Sequence, residues 1–175
     1  SLLLKEPFAR FEAIPCEAGS QAGAYVSLSL WDELWAYKHE AANRLWAEFS
    51  PIPQLFGRSI RLVVTYAGYF GESQLLWDLY ESTVKPSTDD ANQGTGNKVP
   101  GLEDLPAYVS DDGRTFAYWS HGPEYGHPSQ PWHTEAFLKA RWADHSIGEH
   151  EKRRLWRNEW TTGVENFLNI ERVSA

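Results

Sequence analysis

An α/β fold with a parallel sheet and crossover helices is predicted for this 175-residue chain. Three observations predict it. Two short apolar runs, residues 25–31 and 59–65, have the length and aromatic or β-branched content of strands. A helix-periodic segment, residues 40–49, lies between them, and a second, residues 72–84, follows. Strand–helix–strand–helix order is the pattern of parallel strands joined by crossover helices.

Each element has its own justification. Residues 8–15 alternate apolar and polar, as a half-buried strand does. Residues 17–24 are rich in Gly, Ala and Ser and read as a loop. Val26, Leu28 and Leu30 predict a buried strand that ends in Asp32 and Glu33. In residues 40–49, Ala41, Ala42, Leu45, Trp46 and Phe49 share one helical face, and Pro51 and Pro53 end the helix. The second strand breaks at Ala67-Gly68. In residues 72–84, Leu75, Leu76, Leu79 and Tyr80 form the inward stripe.

The second half is less regular. Residues 85–101, dominated by Pro, Ser, Thr, Asp, Asn and Gly, predict a long mobile loop. Asp111-Asp112-Gly113 predicts a hairpin turn between strands at 107–109 and 115–119. Residues 121–131 read as irregular. Residues 131–143 predict a helix with Pro131 in its first turn and with Trp132, Ala136, Phe137 and Ala140 facing inward. Residues 149–156 predict a charged, solvated helix with little to bury. Thr162-Gly163-Val164-Glu165 has capping-box spacing and predicts a last short helix. The expected division is residues 1–101 for the sheet core and 102–175 for a hairpin and helical lid or linker.

Composition narrows the function classes. A net charge of −8 disfavours general attraction to nucleic acid, so any DNA contact must be local. Cys16 is the only cysteine, which excludes an internal disulfide and a thiolate-rich zinc site. Cys16 itself reads as a small core residue. No apolar run approaches a membrane span. There is no methionine, so Ser1 is not expected to be the start of translation and a fragment or processed chain is expected.

The chemistry-bearing residues sit at strand ends. In parallel sheets ligands bind outside the carboxyl ends of the strands. An Asp there can hold magnesium through its water shell, which suits Asp32. A neighbouring Glu can take a proton from an attacking water, which suits Glu33. The blander meaning of two such acids is favourable interaction with a helix N-terminus. One crossover later, Thr65 ends the second strand. Its hydroxyl could hydrogen-bond a terminal phosphate or its water.

Taken in order, several stretches resemble the ATPase domain of the large terminase subunit of tailed bacteriophages. They are Leu30-Trp31-Asp32-Glu33-Leu34-Trp35, Arg44-Leu45-Trp46, Arg61-Leu62-Val63-Val64-Thr65-Tyr66-Ala67-Gly68, Glu72-Ser73-Gln74-Leu75-Leu76-Trp77-Asp78-Leu79-Tyr80 and Leu155-Trp156-Arg157-Asn158-Glu159-Trp160. The resemblance implies the C-terminal half of a P-loop (ASCE) ATPase core, with the Walker B and coupling motifs but without the Walker A loop and the nuclease domain. It implies ATP and Mg2+ as cofactors, Asp32 on the metal, Glu33 as the catalytic glutamate, and Thr65, Ala67 and Gly68 as the nucleotide-sensing coupling motif. It further implies double-stranded viral DNA, a portal protein and the small terminase subunit as partners. A homo-oligomeric ring, the host cytoplasm as the place of action and no membrane association complete the expectation.

The departures from the family pattern are definite. No G-x-x-x-x-G-K-[ST] loop is present; in Gly94-Thr95-Gly96-Asn97-Lys98, Val99 stands where the hydroxyl is needed. The phosphate loop is therefore expected upstream, and the isolated chain is expected to be inactive. No arginine lies in residues 21–24, so Arg10, Arg58 and Arg61 are the candidates for a finger, on charge alone. The alternatives are another P-loop motor such as a helicase, or a non-catalytic aromatic-rich interaction domain, in which Asp32 and Glu33 would lie away from Thr65. His121, His127 and His133, spaced by six near Glu124 and Glu135, read as loop histidines before they read as a metal site. The 9 Trp read first as buried packing residues, since Trp46, Trp77 and Trp132 fall on helical stripes.

Overall fold

A computed structural model describes residues 2–4, 9–14, 26–49, 59–121 and 134–163. Among these residues the chain is mixed α/β, with four α-helices and small parallel and antiparallel sheets. It divides into two compact units, Ser1–Leu30 with Lys38–Leu62, and Trp31–Tyr37 with Val63–Ala175.

In the first unit, β1 (Leu2–Leu4) pairs antiparallel with β2 (Ala9–Phe11). Helix α1 (Glu40–Glu48) buries Ala42 and Leu45 and leaves Ala41 exposed. Half-buried Trp46 carries the Arg61 guanidinium 3.7 Å above its ring. Arg61 Nη2 also donates to the Trp46 carbonyl at 3.0 Å, and burial lowers the guanidinium below its ordinary pKa. Arg61 is thus folded onto its own unit. Arg58 and the side chain of Arg10 lie outside the described residues.

Strands β3 (Leu28–Asp32) and β4 (Ile60–Val64) pair with each other. Ile60 N donates to Ser27 O at 2.9 Å, and Glu33 N donates to Val64 O at 2.8 Å. Both residue numbers rise together along the ladder, so the strands run parallel. The predicted burial is corrected. Leu28 and Leu30 are 55% and 54% exposed, as are Ile60 at 65% and Leu62 at 50%. A ladder of two strands presents alternate side chains to two faces, and only Trp31, Ser29, Arg61 and Val63 fall on the more protected one.

The second unit has an aromatic core. A 3-10 turn, Leu34–Ala36, buries Leu34 completely. β5 (Tyr69–Phe70) pairs parallel with β9 (Thr161–Thr162). Helix α2 (Gln74–Thr83) buries Leu76 and Tyr80 of its expected stripe, with Leu75 and Leu79 half-buried. Trp160 centres the cluster. Trp77 meets it edge-on at 4.9 Å, and Trp119 stacks at 6.2 Å. Tyr80 lies 4.8 Å from Trp119, and burial pushes its phenol pKa up.

The segment expected as a loop is irregular for most of its length and is held by backbone pairings. Thr95 N and Gly96 N donate to the Lys85 and Val84 carbonyls at 2.8 Å each, and Pro86 bridges Gly94. Gly96 permits this because a Cβ there would sit 2.3 Å from the Thr83 carbonyl oxygen. β6 (Asn97–Lys98), β7 (Ala107–Val109) and β8 (Phe116–Tyr118) then form an antiparallel sheet, with Gly113 at φ 69° in the predicted turn. Gly94 to Lys98 therefore belongs to a bridge and a strand, and the next element is strand β7 rather than a helix.

Helix α3 (Glu135–Trp142) starts after Thr134, whose hydroxyl caps Phe137 N, rather than at Pro131. It buries Leu138, while Ala136, Phe137 and Ala140 are exposed. Helix α4 (Glu149–Arg157) overturns the expectation of a solvated helix, since Lys152 and Arg154 are only 5% and 3% exposed. Each has a polar partner: Lys152 Nζ donates to the Trp142 carbonyl at 2.6 Å, and Arg154 donates to Glu151. Thr162 closes β9, and the helix predicted after it lies outside the described residues. Cys16, His127, Trp132 and His133 also lie outside them.

Candidate functional site

The rim at the carboxyl ends of β3 and β4 belongs wholly to the second unit. It is built from backbone before side chains. Glu33 leaves β3 at φ 53° and ψ 49°, a left-handed conformation that a non-glycine residue rarely holds. The reversal starts the Leu34–Ala36 turn and brings the Trp35 indole back, so that Trp35 Nε1 donates to Glu33 Oε2. The indole fixes the carboxylate's direction, and the lone pairs of Oε1 remain for another donor.

Thr65 is the neighbour of this turn. Its Oγ1 accepts from Trp35 N at 3.2 Å and donates to the Tyr66 carbonyl at 3.0 Å. Glu33 and Thr65 therefore stand side by side, and exposed Asp32 precedes Glu33 at the same edge. The strand ends are adjacent and parallel, so the residues singled out from sequence come together here. For the hydroxyl to meet a phosphate oxygen, its proton must turn away from the Tyr66 carbonyl.

Ala67 and Gly68 line the rim from behind. Both are buried. Ser73, at the start of α2, donates through Oγ to the Trp35 carbonyl at 2.8 Å and accepts from Tyr69 N at 3.1 Å. A Cβ on Gly68 would stand 2.3 Å from Ser73 Cβ. Only hydrogen fits there, which ties the strand-end segment to the helix start.

The residues that sequence reasoning missed are on α4 and at its end. Arg154 Nη1 donates to the Ala67 carbonyl at 3.3 Å, and Asn158 Oδ1 accepts from Ala67 N at 2.6 Å. One peptide unit on each side of Ala67 is thus held, one from helix α4 and one from its C-cap. The Arg154 guanidinium lies 4.1 Å over the Trp35 ring. Its Nη2 and Nε donate to Glu151 Oε1 and Oε2 at 2.6 and 3.1 Å. Burial, the largest single cause, would lower the Arg154 pKa, but the bonds and charge of Glu151 together with Tyr69 leave it raised. The same bonds hold Glu151 below its ordinary value. Burial and the Glu151 hydrogen bond raise Tyr69, whose hydroxyl donates to Glu151. Asn158 Nδ2 continues outward to the Ser120 carbonyl at 3.0 Å. The available signal was spacing: Glu151, Arg154 and Asn158 recur at three and four residues, the interval of one helical face, in polar rather than apolar residues.

No family model, no curated protein and no solved structure matches this chain.

Among the described residues no group of three or more His, Cys, Asp or Glu side chains could enclose a metal ion. His121 is exposed. The exposed Asp32 carboxylate at a strand end still suits magnesium, which takes one or two carboxylates plus substrate phosphates and keeps its waters. No helix among the described residues is long and apolar enough to cross a membrane.

Proposed function

We propose that this chain carries the hydrolytic rim of an ATP-driven motor of the terminase large-subunit type, the second half of a P-loop-like core. The observation that carries the proposal is the adjacency of Glu33 and Thr65 at the carboxyl ends of two parallel strands, with Trp35 N on Thr65 Oγ1 at 3.2 Å. An interaction domain without catalysis has no need to bring these groups together or to hold Glu33 in a left-handed backbone conformation.

Each residue has a role in that chemistry. Glu33 takes the proton of the attacking water on Oε1 while the Trp35 indole holds Oε2. Thr65 offers its hydroxyl to the terminal phosphate, and release of that contact displaces the segment through Ala67 and Gly68. Asp32 would hold Mg2+, which offsets phosphate charge when bound. The phosphate-binding loop, the nuclease and the contacts to double-stranded viral DNA, portal protein and small terminase subunit are assigned to other parts of the full polypeptide or its assembly. Action in a homo-oligomeric ring in the host cytoplasm belongs to the same proposal.

The test is MgATP turnover by the full-length protein that contains this sequence. Glu33→Gln is expected to cut turnover by about 10²–10⁴-fold, the usual contribution of a general base, while ATP binding persists. The isolated 175-residue chain is expected to show none. A full-length protein that neither binds nor hydrolyses ATP overturns the proposal.

A further inference from the structure

We infer that Arg154 is a positioning residue for the Glu33 carboxylate, acting through the Trp35 indole, with Asn158 as a second grip on the same rim. The inference rests on the ATPase proposal for its meaning but not for its geometry. Arg154 acts at one remove from Glu33 and Thr65. It lies 4.1 Å over the ring whose N–H holds Glu33 Oε2, and it holds the carbonyl of Ala67, two residues beyond Thr65, at 3.3 Å.

A buried guanidinium over an indole face is a strong, directional contact. Its planar fork is committed to the Glu151 carboxylate at 2.6 and 3.1 Å, so the cation cannot slide along the ring without breaking two charge-assisted bonds. Arg154 is only 3% exposed, so water cannot replace what it gives up. The indole is therefore clamped between Arg154 on its face and Glu33 at its edge. Tyr69 meets the same indole edge-on at 5.8 Å and donates its hydroxyl to Glu151, closing the network. Asn158 adds the second point of control. Its Oδ1 takes the Ala67 N–H while its Nδ2 reaches the Ser120 carbonyl, so a shift of Ala67 is passed to the segment that follows β8.

A merely structural arginine would stabilise the unit without setting the state of the indole. The two roles separate by nuclear magnetic resonance on the 15N-labelled chain. Each of the 9 Trp gives one indole N–H signal, and Trp35→Phe identifies the relevant one. Glu33→Gln is expected to move the Trp35 signal upfield as its charged acceptor is lost. Arg154→Lys, which keeps the charge but not the planar fork, and Arg154→Gln are expected to move it in the same direction. The Trp77 and Trp119 signals are expected to stay in place. An unmoved Trp35 signal in Arg154→Lys, where Glu33→Gln does move it, overturns the inference. So does collapse of all dispersed indole signals in both Arg154 variants, which would make the residue a folding element only.

The second arm is MgATP turnover in the full-length protein carrying Arg154→Lys. A kcat loss of roughly 10²-fold with little change in KM is expected from misplacement of the base. Unchanged kcat in a protein that does turn over ATP also overturns the inference. Absence of turnover in the wild-type protein overturns the ATPase proposal instead, and the movement of the indole signal then decides by itself whether Arg154 positions Glu33.

Discussion

At the scale of single residues, the rim is defined by places where chemistry and backbone demand the same thing. Gly68 is one. Its missing side chain is the space that Ser73 fills, with Cβ and Oγ at 2.3 and 2.4 Å from where a methyl would be. Gly68→Ala is therefore expected to destabilise the second unit by about 1–3 kcal/mol, the usual cost of overpacking, measured as a fall in the urea midpoint with unchanged slope. Asp32, Glu33 and Thr65 were legible as candidates because acids and a hydroxyl at the ends of apolar runs are conspicuous. Arg154 was not, and Asn158 stood only within the stretch Leu155–Trp160, without a role, because a guanidinium in a charged helix and an amide at its end look solvated until their partners, 87 and 91 residues away in sequence, are known.

At the scale of elements, the periodic segments were the readable ones. Residues 40–49 and 72–84 carry apolar residues at helical spacing, and α1 and α2 fall within them. The hairpin was readable from Asp111-Asp112-Gly113. Helix α4 was readable as a helix but not in its packing, because periodicity arguments count apolar residues and α4 packs through charge. The Glu151–Arg154 pair gives that packing a pH signature. The Arg154 bond holds Glu151 below its ordinary value of 4.5, so the pair's stabilisation is complete above that value. It is lost as pH falls through the lowered folded value. Glu151→Gln is expected to lower stability at neutral pH by up to about 3 kcal/mol, because a buried guanidinium loses its counter-charge. It should also flatten the decline below pH 4.5, checked by denaturant unfolding across an acid series. The loop expected over residues 85–101 is irregular for most of its length, but the Pro86–Gly94 bridge and strand β6 within it were not legible. Composition records weak local preference, whereas Gly96 and Lys85 make backbone pairings that composition does not encode.

At the scale of the molecule, the two units rest on different materials. The second unit gathers Trp77, Tyr80, Trp119 and Trp160 into one aromatic cluster. Trp160 is 2% exposed and packs against the other three, so Trp160→Ala is expected to cost about 3–5 kcal/mol and to erase much of the near-ultraviolet circular dichroism. In the first unit Leu28, Leu30, Ile60 and Leu62 meet solvent. Parallel strands elsewhere are covered on both faces, and the sequence, which showed only an apolar run, could not reveal this exposure. The mixed α/β class was legible from element order, while the small size of each sheet was not, since strand pairing depends on residues far apart in the chain. The left-handed turn at Glu33 has its own consequence for any mutational survey of the rim. Position 33 should pass through two sieves. The first is geometric, admitting Gly, Asn and Asp and rejecting Val, Ile and Thr in an assay of expression yield. The second is functional, admitting only a side chain that can accept a proton. Asp is the one substitution that passes the first sieve and also carries a carboxylate, so its activity gauges how far one methylene of reach matters there.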